Sequence, residues 1–509
     1  MPQHRKWVER LLCSLGALAS GAALGLAFAP YGLWPVAFLG IAGLTVIVAK
    51  ARSLVGGALY GYLFGLGFGA LGLNWMSIIF IEAMFALIAA TSFFYLAAGL
   101  LIKLSMRLSA WPLIAAGVWV GVEFVMCRWP FGGFGWMRLG YAMVDSPLAG
   151  GYPLIGVVGV GFLVALIGQV IAWICLDFQP MRLISAVACG LIVFILALGG
   201  IMIQPTPASG TMPVGWVQGG LAPGGGVYGL GVERTITKHE VAGTEALMQD
   251  VASNALEEPA FIVWPENGTD KDPYEDPETS ALLRQAIAVA GRPILSGHIT
   301  LGPGDDERQT VSIWWSADGV EQARYVKREI VPFGEFVPGR EFMLKLVPKL
   351  AYVGRQSVPG DQIGLLDVQL DSGPLKIGVL MCYDVAFDQV VYDTAPGELL
   401  VVQSSNAMYQ GTGQIEQQFA ITRARAAELR REILVVTTSG VSGVIDARGN
   451  VTEKIVDSGE HHGVADLPLR TSNTPALWLA PFLDWALTIL TALSLITCIV
   501  IAIDSRRKR

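Results

Sequence analysis

The stretch Lys376–Asp384, with the sequence KIGVLMCYD, decides how the water-soluble part of this chain folds. Its apolar residues Ile377–Met381 form a run whose length is typical of a buried strand rather than of a helix. Cys382 follows this run directly, and we expect the chain to turn into a helix there. The amides at the N-terminus of such a helix favour a thiolate. The stretch therefore predicts a buried strand that presents a nucleophile at its end.

Other short apolar runs lie on both sides of this stretch. Seven of them have the length of a strand: Val214–Gln218, Ala260–Trp264, Ile294–Ser296, Ser312–Trp315, Leu399–Gln403, Ile433–Thr437 and Gly443–Asp446. Helical patterns fall between these runs, at Ser280–Ala290 and Gln417–Arg431. Strands that alternate with helices over about 260 residues indicate an α/β domain.

Charged residues follow two further strand-like segments. Glu266 comes after the apolar run in FIVWPEN, and Lys327 and Glu335 lie in YVKREIVPFGEFVP, near turn-forming Pro and Gly. A carboxylate can take the proton of a thiol, the thiolate can attack a carbonyl carbon, and an ammonium group with a backbone N–H can stabilise the oxyanion. Taken alone, such a charge is more often solvated, and a lone cysteine is more often a buried apolar side chain. In combination, these residues predict a nucleophilic site.

The two ends of the chain differ from its middle in composition. The whole chain is 53% hydrophobic and 15% charged, whereas an ordinary soluble domain has about a quarter of its residues charged. Residues 205–472 hold 21 Lys and Arg against 35 Asp and Glu, an acidic balance that argues against nucleic-acid binding. Eight apolar runs outside this segment predict transmembrane helices: Leu11–Ala29, Leu33–Ala49, Leu54–Leu73, Ile81–Ile102, Trp111–Met126, Leu154–Leu176, Leu183–Ile203 and Pro481–Ile503.

These runs predict the order of domains and their orientation. Residues 1–204 form seven transmembrane helices, residues 205–472 form the catalytic domain, and residues 473–509 form a final helix with a basic tail, Arg506–Arg509. If the N-terminus is cytoplasmic, twelve cations lie on that side and only Arg128 and Arg138 on the other. The positive-inside rule then predicts a catalytic domain outside the cytoplasm. A transporter is the alternative for such a bundle, but charges within the apolar runs are few.

The loop Arg128–Tyr141 is open to two interpretations. Its aromatic residues, glycines and two cations are typical of an aromatic belt at the membrane interface. Alternatively, Arg128 or Arg138 contacts the substrate by holding a lipid phosphate.

The segment Glu341–Leu350 also has two interpretations. Its apolar residues, with Phe342 and Met343 among them, can pack on the core of the domain. They can equally form a lid that dips into lipid and contacts the substrate, and we favour the lid.

The three segments around Glu266, Lys327 and Cys382 resemble the nitrilase (carbon–nitrogen hydrolase) superfamily, whose sites use Glu, Lys and Cys in this chain order. The motif VPFGEFVP and the order of seven helices, domain and final helix resemble, within it, the family of bacterial apolipoprotein N-acyltransferases. The resemblance implies an αββα sandwich in which these three residues are base, oxyanion-stabilising cation and nucleophile. It further implies that Glu335 supports the site and that the backbone N–H of Tyr383 is an oxyanion donor.

The sequence departs from the family pattern at several places. Asp384 stands where the family usually has a glutamate, and its side chain is one methylene shorter. The family's Ser-Asn-Asp-x-Trp is SNAMY here, which leaves Asn406 as a candidate substrate contact. Residues 217–220 (VQGG) and 438–440 (TSG) also differ from the family pattern. These departures bear on substrate contacts more than on the three catalytic residues.

The resemblance implies a two-step acyl transfer in the plasma membrane of a bacterium. Cys382 takes an acyl chain from a phospholipid, and the N-terminal amine of a diacylated apolipoprotein then resolves the thioester. The rivals are a membrane-anchored amidase with the same three residues and a binding module on an inactive nitrilase fold. No cofactor or metal is expected, because the five histidines show no metal-binding spacing: His4, His239, His298, His461 and His462. We expect His461 and His462 to lie in a polar surface turn.

Overall fold

A computed structural model describes residues 3–227 and 231–507 of the chain. The chain divides into two units, one formed by the residues up to Ile203 together with those from Thr474 onward, and one formed by Gln204–Asn473. We call them the helical unit and the sandwich unit. Residues 508 and 509 of the expected basic tail lie outside the described residues.

The helical unit is built from the predicted apolar runs, each of which is helical. Its helices are α1 (Gln3–Leu26), α2 (Pro35–Lys50), α3 (Leu54–Gly72), α4 (Ile81–Ser105), α5 (Trp111–Met126), α6 (Tyr152–Leu176), α7 (Pro180–Met202) and the final helix (Ala476–Arg507). Six of them are long and apolar enough to cross a membrane within the described residues, whereas α2 and α5 are shorter apolar helices. The lengths of these six helices agree with membrane spans, two fewer than the eight that the sequence predicts.

Glycines on α3 allow its neighbours to pack closely. A Cβ atom on Gly61 would lie 2.1 Å from the carbonyl oxygen of Tyr95 on α4, and one on Gly67 would lie 2.0 Å from that of Leu18 on α1. Only a residue without a side chain fits at such distances. The small residues therefore have the packing role that they commonly have between helices in lipid.

The sandwich unit contains two β-sheets. The strands of the first sheet are β1 (Gly210–Gln218), β2 (Phe261–Val263), β3 (Ile294–Leu301), β4 (Glu307–Trp315), β5 (Glu321–Val326), β6 (Gln356–Ser357) and β13 (His461–Leu469). Those of the second are β7 (Leu365–Leu370), β8 (Gly373–Met381), β9 (Leu399–Ser404), β10 (Ile433–Thr437), β11 (Gly440–Ile445) and β12 (Val451–Asp457). The helices are α8 (Thr235–Ala252), α9 (Pro277–Ala290), α10 (Arg340–Leu346), α11 (Asp388–Asp393) and α12 (Gly413–Leu429).

Each of the two sheets contains three parallel strands next to one another. Strands β1, β2 and β3 are parallel neighbours in the first sheet, as are β8, β9 and β10 in the second. One apolar core holds residues of both sheets, including Val263 and Trp314 from the first and Val379 and Val401 from the second. A second core joins the outer face of the first sheet to α8 and α9. This arrangement is the expected αββα sandwich.

The strands that sequence patterns missed have polar residues where the others are apolar. Strand β12 is mostly exposed, and β7 alternates between buried and exposed residues. Neither presents a continuous apolar run, because a strand at the edge of a sheet is covered less than a central one. The predicted helix at Cys382 was wrong in type: a five-residue 3₁₀ turn, Cys382–Ala386, follows β8, and α11 begins after it.

Candidate active site

The predicted catalytic residues follow the carboxyl ends of three strands. Glu266 follows β2, Lys327 follows β5 and Cys382 follows β8. Two hydrogen bonds join the first of these segments to the second sheet: the amide of Ser405 donates to Glu266 Oε2 at 2.8 Å, and the hydroxyl of Thr438 donates to the Glu266 carbonyl at 3.1 Å. The predicted residues therefore lie at one edge of the sandwich, between the sheets.

Lys327 lies between two carboxylates. Its Nζ atom is 2.9 Å from Glu266 Oε1 and 2.9 Å from Glu335 Oε1. The other oxygen of Glu335 accepts the amide of Val331 at 2.7 Å, within the VPFGEFVP motif. The Lys327 side chain is 2% exposed. The carboxylate of Glu335 is thus bonded to the buried lysine rather than free at the surface.

Electrostatics at this cluster favour a charged lysine. Burial by itself lowers the pKa of Lys327, but the charges of Glu266 and Glu335 outweigh it and raise the pKa well above its usual value. Burial raises the pKa of Glu266, and the nearby ammonium group of Lys327 opposes this shift. Glu266 is therefore a better proton acceptor than a solvated carboxylate, while Lys327 keeps its positive charge.

Cys382 lies in the left-handed region of the backbone, with φ of 48°. This conformation is uncommon for a residue with a side chain and, where it occurs, is often found at functional sites. Burial and the charge of Glu266 raise the pKa of the half-buried Cys382 thiol well above its usual value. The turn after β8 offers no α-helix N-terminus to favour a thiolate, so the raised pKa makes a nearby base such as Glu266 more important for removing the thiol proton.

Gln418 contacts the Cys382 thiol and was missed in the sequence. Its Nε2 atom donates to Cys382 Sγ at 3.4 Å and to Ser404 Oγ at 3.0 Å. The predicted helix Gln417–Arg431 contained this residue, but helical periodicity does not reveal which polar residue faces a site on another strand. A nearby amide donor favours the thiolate once the proton has left.

Asp384 has a structural role in the turn after the nucleophile. It accepts hydrogen bonds from the Tyr325 hydroxyl at 2.9 Å and from the amides of Met381 at 2.9 Å and Glu329 at 3.1 Å. Burial raises its pKa to about 6. The shorter side chain that replaces the family's glutamate thus braces the strand end that carries Cys382. The ring of Tyr383 packs against Phe387, and its amide as an oxyanion donor stays a prediction.

Asn406 is 2% exposed, and its Oδ1 atom has no hydrogen-bond partner among the described residues. It follows Ser405, whose amide holds Glu266 in place. The altered SNAMY segment therefore contributes to positioning the carboxylate through its backbone, while a contact of Asn406 with substrate stays a prediction.

The two arginines proposed for lipid phosphate have acidic partners in the helical unit. Arg138 is buried, with its Nε atom 3.8 Å from Glu123, so it is placed to hold the loop rather than to face lipid. Arg128 Nη2 is 2.8 Å from Asp484, and its guanidinium group lies over the Phe124 ring. Of the two, only Arg128 has a substantially exposed side chain, so phosphate binding stays a prediction for Arg128 and is disfavoured for Arg138.

The segment predicted as a lid forms α10 and a following 3₁₀ turn. Phe342 and Leu346 are 70% and 66% exposed, so they do not pack in the domain core. Met343 is half-buried in a small apolar cluster with Leu350 and Val353. The segment thus has one packed face and one exposed apolar face, and its contact with lipid or substrate stays a prediction.

The four histidines of the sandwich unit take part in hydrogen bonds. His298 is fully buried between the hydroxyls of Thr269 and Ser296, and burial lowers its pKa to about 3. The expected turn at His461 and His462 was wrong, since they begin β13. Within the described residues, no cluster of three metal-ligating side chains occurs.

The αββα sandwich and its Glu–Lys–Cys cluster define a carbon–nitrogen hydrolase domain, attached to a bundle of apolar helices. Family models agree with this class: the apolipoprotein N-acyltransferase N-terminal domain matches residues 20–170, and carbon–nitrogen hydrolase matches residues 237–473. An amidase of the nitrilase superfamily from Nesterenkonia is a structural neighbour, with a TM-score of 0.39 and 15% identity over 55% of this chain and 98% of its own.

Curated relatives narrow the class to one family. The apolipoprotein N-acyltransferase of Mycolicibacterium smegmatis is 31% identical, over 93% of this chain and 83% of its own length. That of Vibrio cholerae is 26% identical, over 94% and 95% respectively. The chain belongs to the apolipoprotein N-acyltransferase family, and it is an acyltransferase. Membership implies lipid and lipoprotein substrates, and the apolar helices indicate a membrane protein.

Proposed function

We propose that this protein transfers an acyl chain from a membrane phospholipid to the N-terminal amine of a diacylglyceryl-cysteine lipoprotein, through a thioester on Cys382. The observation that carries the proposal is the buried contact of Lys327 with Glu266 and Glu335 at the edge where Cys382 lies. This arrangement offers a base, a fixed positive charge and a nucleophile to one carbonyl group. The names of the curated relatives support the choice of acceptor.

In the first step, Glu266 takes the thiol proton as Cys382 Sγ attacks the ester carbonyl of the phospholipid. The resulting oxyanion is stabilised by the ammonium group of Lys327. When the intermediate collapses, the bond to the glycerol oxygen breaks, and this oxygen receives the proton from Glu266. The products are an acyl-cysteine thioester and a lysophospholipid.

In the second step, the neutral amine of the lipoprotein attacks the thioester carbonyl. Glu266 takes a proton from the attacking nitrogen, and Lys327 again faces the oxyanion. The carbon–sulfur bond breaks, the sulfur of Cys382 recovers a proton from Glu266, and an amide leaves. Because Gln418 donates to Sγ, it also stabilises the sulfur as a leaving group.

Mass spectrometry of the purified protein tests both steps. We expect the Cys382 peptide to gain the mass of an acyl chain after incubation with phospholipid vesicles. Adding a synthetic diacylglyceryl-cysteine peptide should then remove the acyl group and give an N-acylated peptide. A blocked peptide with an acetylated N-terminus is the matched control, because it has no amine to attack.

The rival function, a membrane-anchored amidase, gives a different result in the same experiment. Such an enzyme would lose the acyl group to water at the same rate with or without the free amine, and would release a fatty acid. That outcome would reject the transfer to the amine, but the assignment of Cys382 as the nucleophile would still stand.

We also propose that the protein lies in the plasma membrane of a bacterium with the sandwich unit outside the cytoplasm. The bias of loop cations toward the side of the N-terminus supports this orientation. The sandwich unit must also lie on that side in order to reach a lipoprotein acceptor on the outer face of the membrane.

Reporter fusions test the orientation. A reporter that is active only outside the cytoplasm should be active when it is fused after Asp270 in the sandwich unit. The same reporter fused after Arg107, between α4 and α5, is the control and should be silent. The reverse pattern would overturn the proposed orientation.

A further inference from the structure

We propose that Arg308 binds the phosphate group of the donor phospholipid, so that the ester carbonyl is held at Cys382. This inference rests on the proposed function. The residue was not among the candidates from the sequence, where it lies in an unremarkable polar run at the start of β4.

The strand register places Arg308 on the inner face of the sandwich. Side chains alternate along a strand, and Trp314, six residues further on, packs in the core between the two sheets. Arg308 is therefore on that same inner face. Because β4 runs antiparallel to β3, the first residues of β4 lie at the edge of the sheet where the parallel strands end.

The same register brings Arg308 next to the cluster around Lys327. The amide of Lys327 donates to the carbonyl of Thr310 at 2.9 Å, so these two residues are opposite each other, and Arg308 is two residues from Thr310. Diagonal neighbours of this kind are usually about 7–8 Å apart. Arg308 lies closer to the first residue of β4 than Thr310 does, and Thr310 is opposite Lys327. Arg308 is therefore nearer the outer edge of the site than Lys327.

A second connection runs through Ser357. Arg308 Nε donates to Ser357 Oγ at 3.0 Å, and the amide of Ser357 donates to the carbonyl of Glu335 at 2.9 Å. Burial lowers the pKa of Arg308, and the charges of Glu335 and Glu266 oppose this shift. Arg308 thus belongs to the surroundings of the site and not to a remote surface.

The terminal nitrogens of Arg308 remain available. Ser357 is the hydrogen-bond partner of the side chain, and among residues 3–227 and 231–507 no carboxylate lies within ion-pair distance of it. A guanidinium group with its two outer nitrogens free presents the planar pair of donors that matches a phosphate. The position fits the donor lipid, in which no more than the glycerol backbone separates the reacting ester from the phosphate.

Two acyl donors separate this role from a general effect on the site. The variant Arg308→Gln should raise KM for transfer from phosphatidylglycerol or phosphatidylethanolamine vesicles by about 10- to 100-fold, the usual effect of losing a charged hydrogen bond. Acylation of Cys382 by a p-nitrophenyl ester, which has no phosphate, should stay unchanged. Arg308→Lys keeps the charge and should recover part of the loss in KM.

The matched control is Arg324→Gln on the neighbouring strand β5. Arg324 pairs with Glu321 on the opposite face of the sheet, and both donors should react with this variant as with the wild type. An equal loss for both donors in Arg308→Gln would overturn the proposal, because it would show that the arginine acts on the charge of Glu266 and Glu335. Unchanged KM for the phospholipids would overturn it as well. Inorganic phosphate that binds at Arg308 without competing with the phospholipid would also overturn the proposal, because the anion bound there would then not be the phosphate of the donor.

Failure of the proposed function would look different. In that case the wild type would form no acyl-enzyme from phospholipid at all, whatever the residue at position 308. A wild type that acylates normally, together with an unaffected Arg308→Gln variant, would reject only the role of Arg308.

Discussion

Replacing Cys382 with alanine is expected to abolish the acyl-enzyme, since no other group at the site can form the thioester. Cys382→Ser is the sharper test. A serine hydroxyl is harder to ionise than a thiol, and a carboxylate such as Glu266 is a weak base for it, so we expect at least a thousandfold slower acylation. Mass spectrometry of the protein after incubation with phospholipid measures both variants.

The control for this prediction is Cys175→Ala. Cys175 is an exposed thiol on α6 in the helical unit, so its removal leaves the site intact and should leave acylation unchanged. An acyl-enzyme in the Cys382→Ala variant, or its loss in the Cys175→Ala variant, would contradict the assignment of the nucleophile.

Glu266→Gln and Lys327→Met should each slow acylation by about two to three orders of magnitude, because they remove the base and the oxyanion-stabilising charge. The pH dependence distinguishes the two variants. Burial raises the pKa of Glu266, and the base form exists above that pKa, so the wild-type rate should fall as the pH drops through it. Glu266→Gln should lose this limb. Lys327→Met should shift it to higher pH, because the ammonium group no longer opposes the effect of burial.

Single-turnover acylation rates at several pH values measure these profiles. Lys376→Met is the matched control, since Lys376 lies on β8, before Cys382, and pairs with Asp367 at the surface. Losing Lys327 leaves two carboxylates without their cation, so thermal melting in detergent should accompany the rates. A folded Lys327→Met protein with a near-normal rate, or with its acid limb in the wild-type position, would refute the role of the lysine.

Sequence patterns predicted much of the fold because burial leaves a clear signature in certain elements. The helices of the helical unit appear as long apolar runs, and the central strands β8, β9 and β10 appear as short ones. Strands at the edges, such as β12, do not, because half-exposed strands carry polar residues. The turn at Cys382 could not be predicted. Its first residue has a positive φ, which a cysteine does not favour.

The residues with the reacting groups could be proposed from sequence because Glu266, Lys327 and Cys382 each end or follow a strand within a recognisable motif. Apart from Glu335, their hydrogen-bond partners could not be proposed in this way. Gln418, on helix α12, contacts Cys382, and the amide of Ser405, in the loop after β9, donates a hydrogen bond to Glu266. Such contacts depend on which face of an element points to the site, which local patterns do not contain.

By itself, the sequence determined the division into apolar helices and an α/β domain, the candidates for base, cation and nucleophile, and the likeness to one family. These properties follow from composition and short motifs, which depend on residues close together in the chain. Only the tertiary structure decided that Lys327 joins two carboxylates, that Asp384 braces a turn, and that Arg308 lies beside the site with its outer nitrogens free. The physical reason is that charge, burial and hydrogen bonding at a site are set by residues far apart in sequence, which meet only when the two sheets pack.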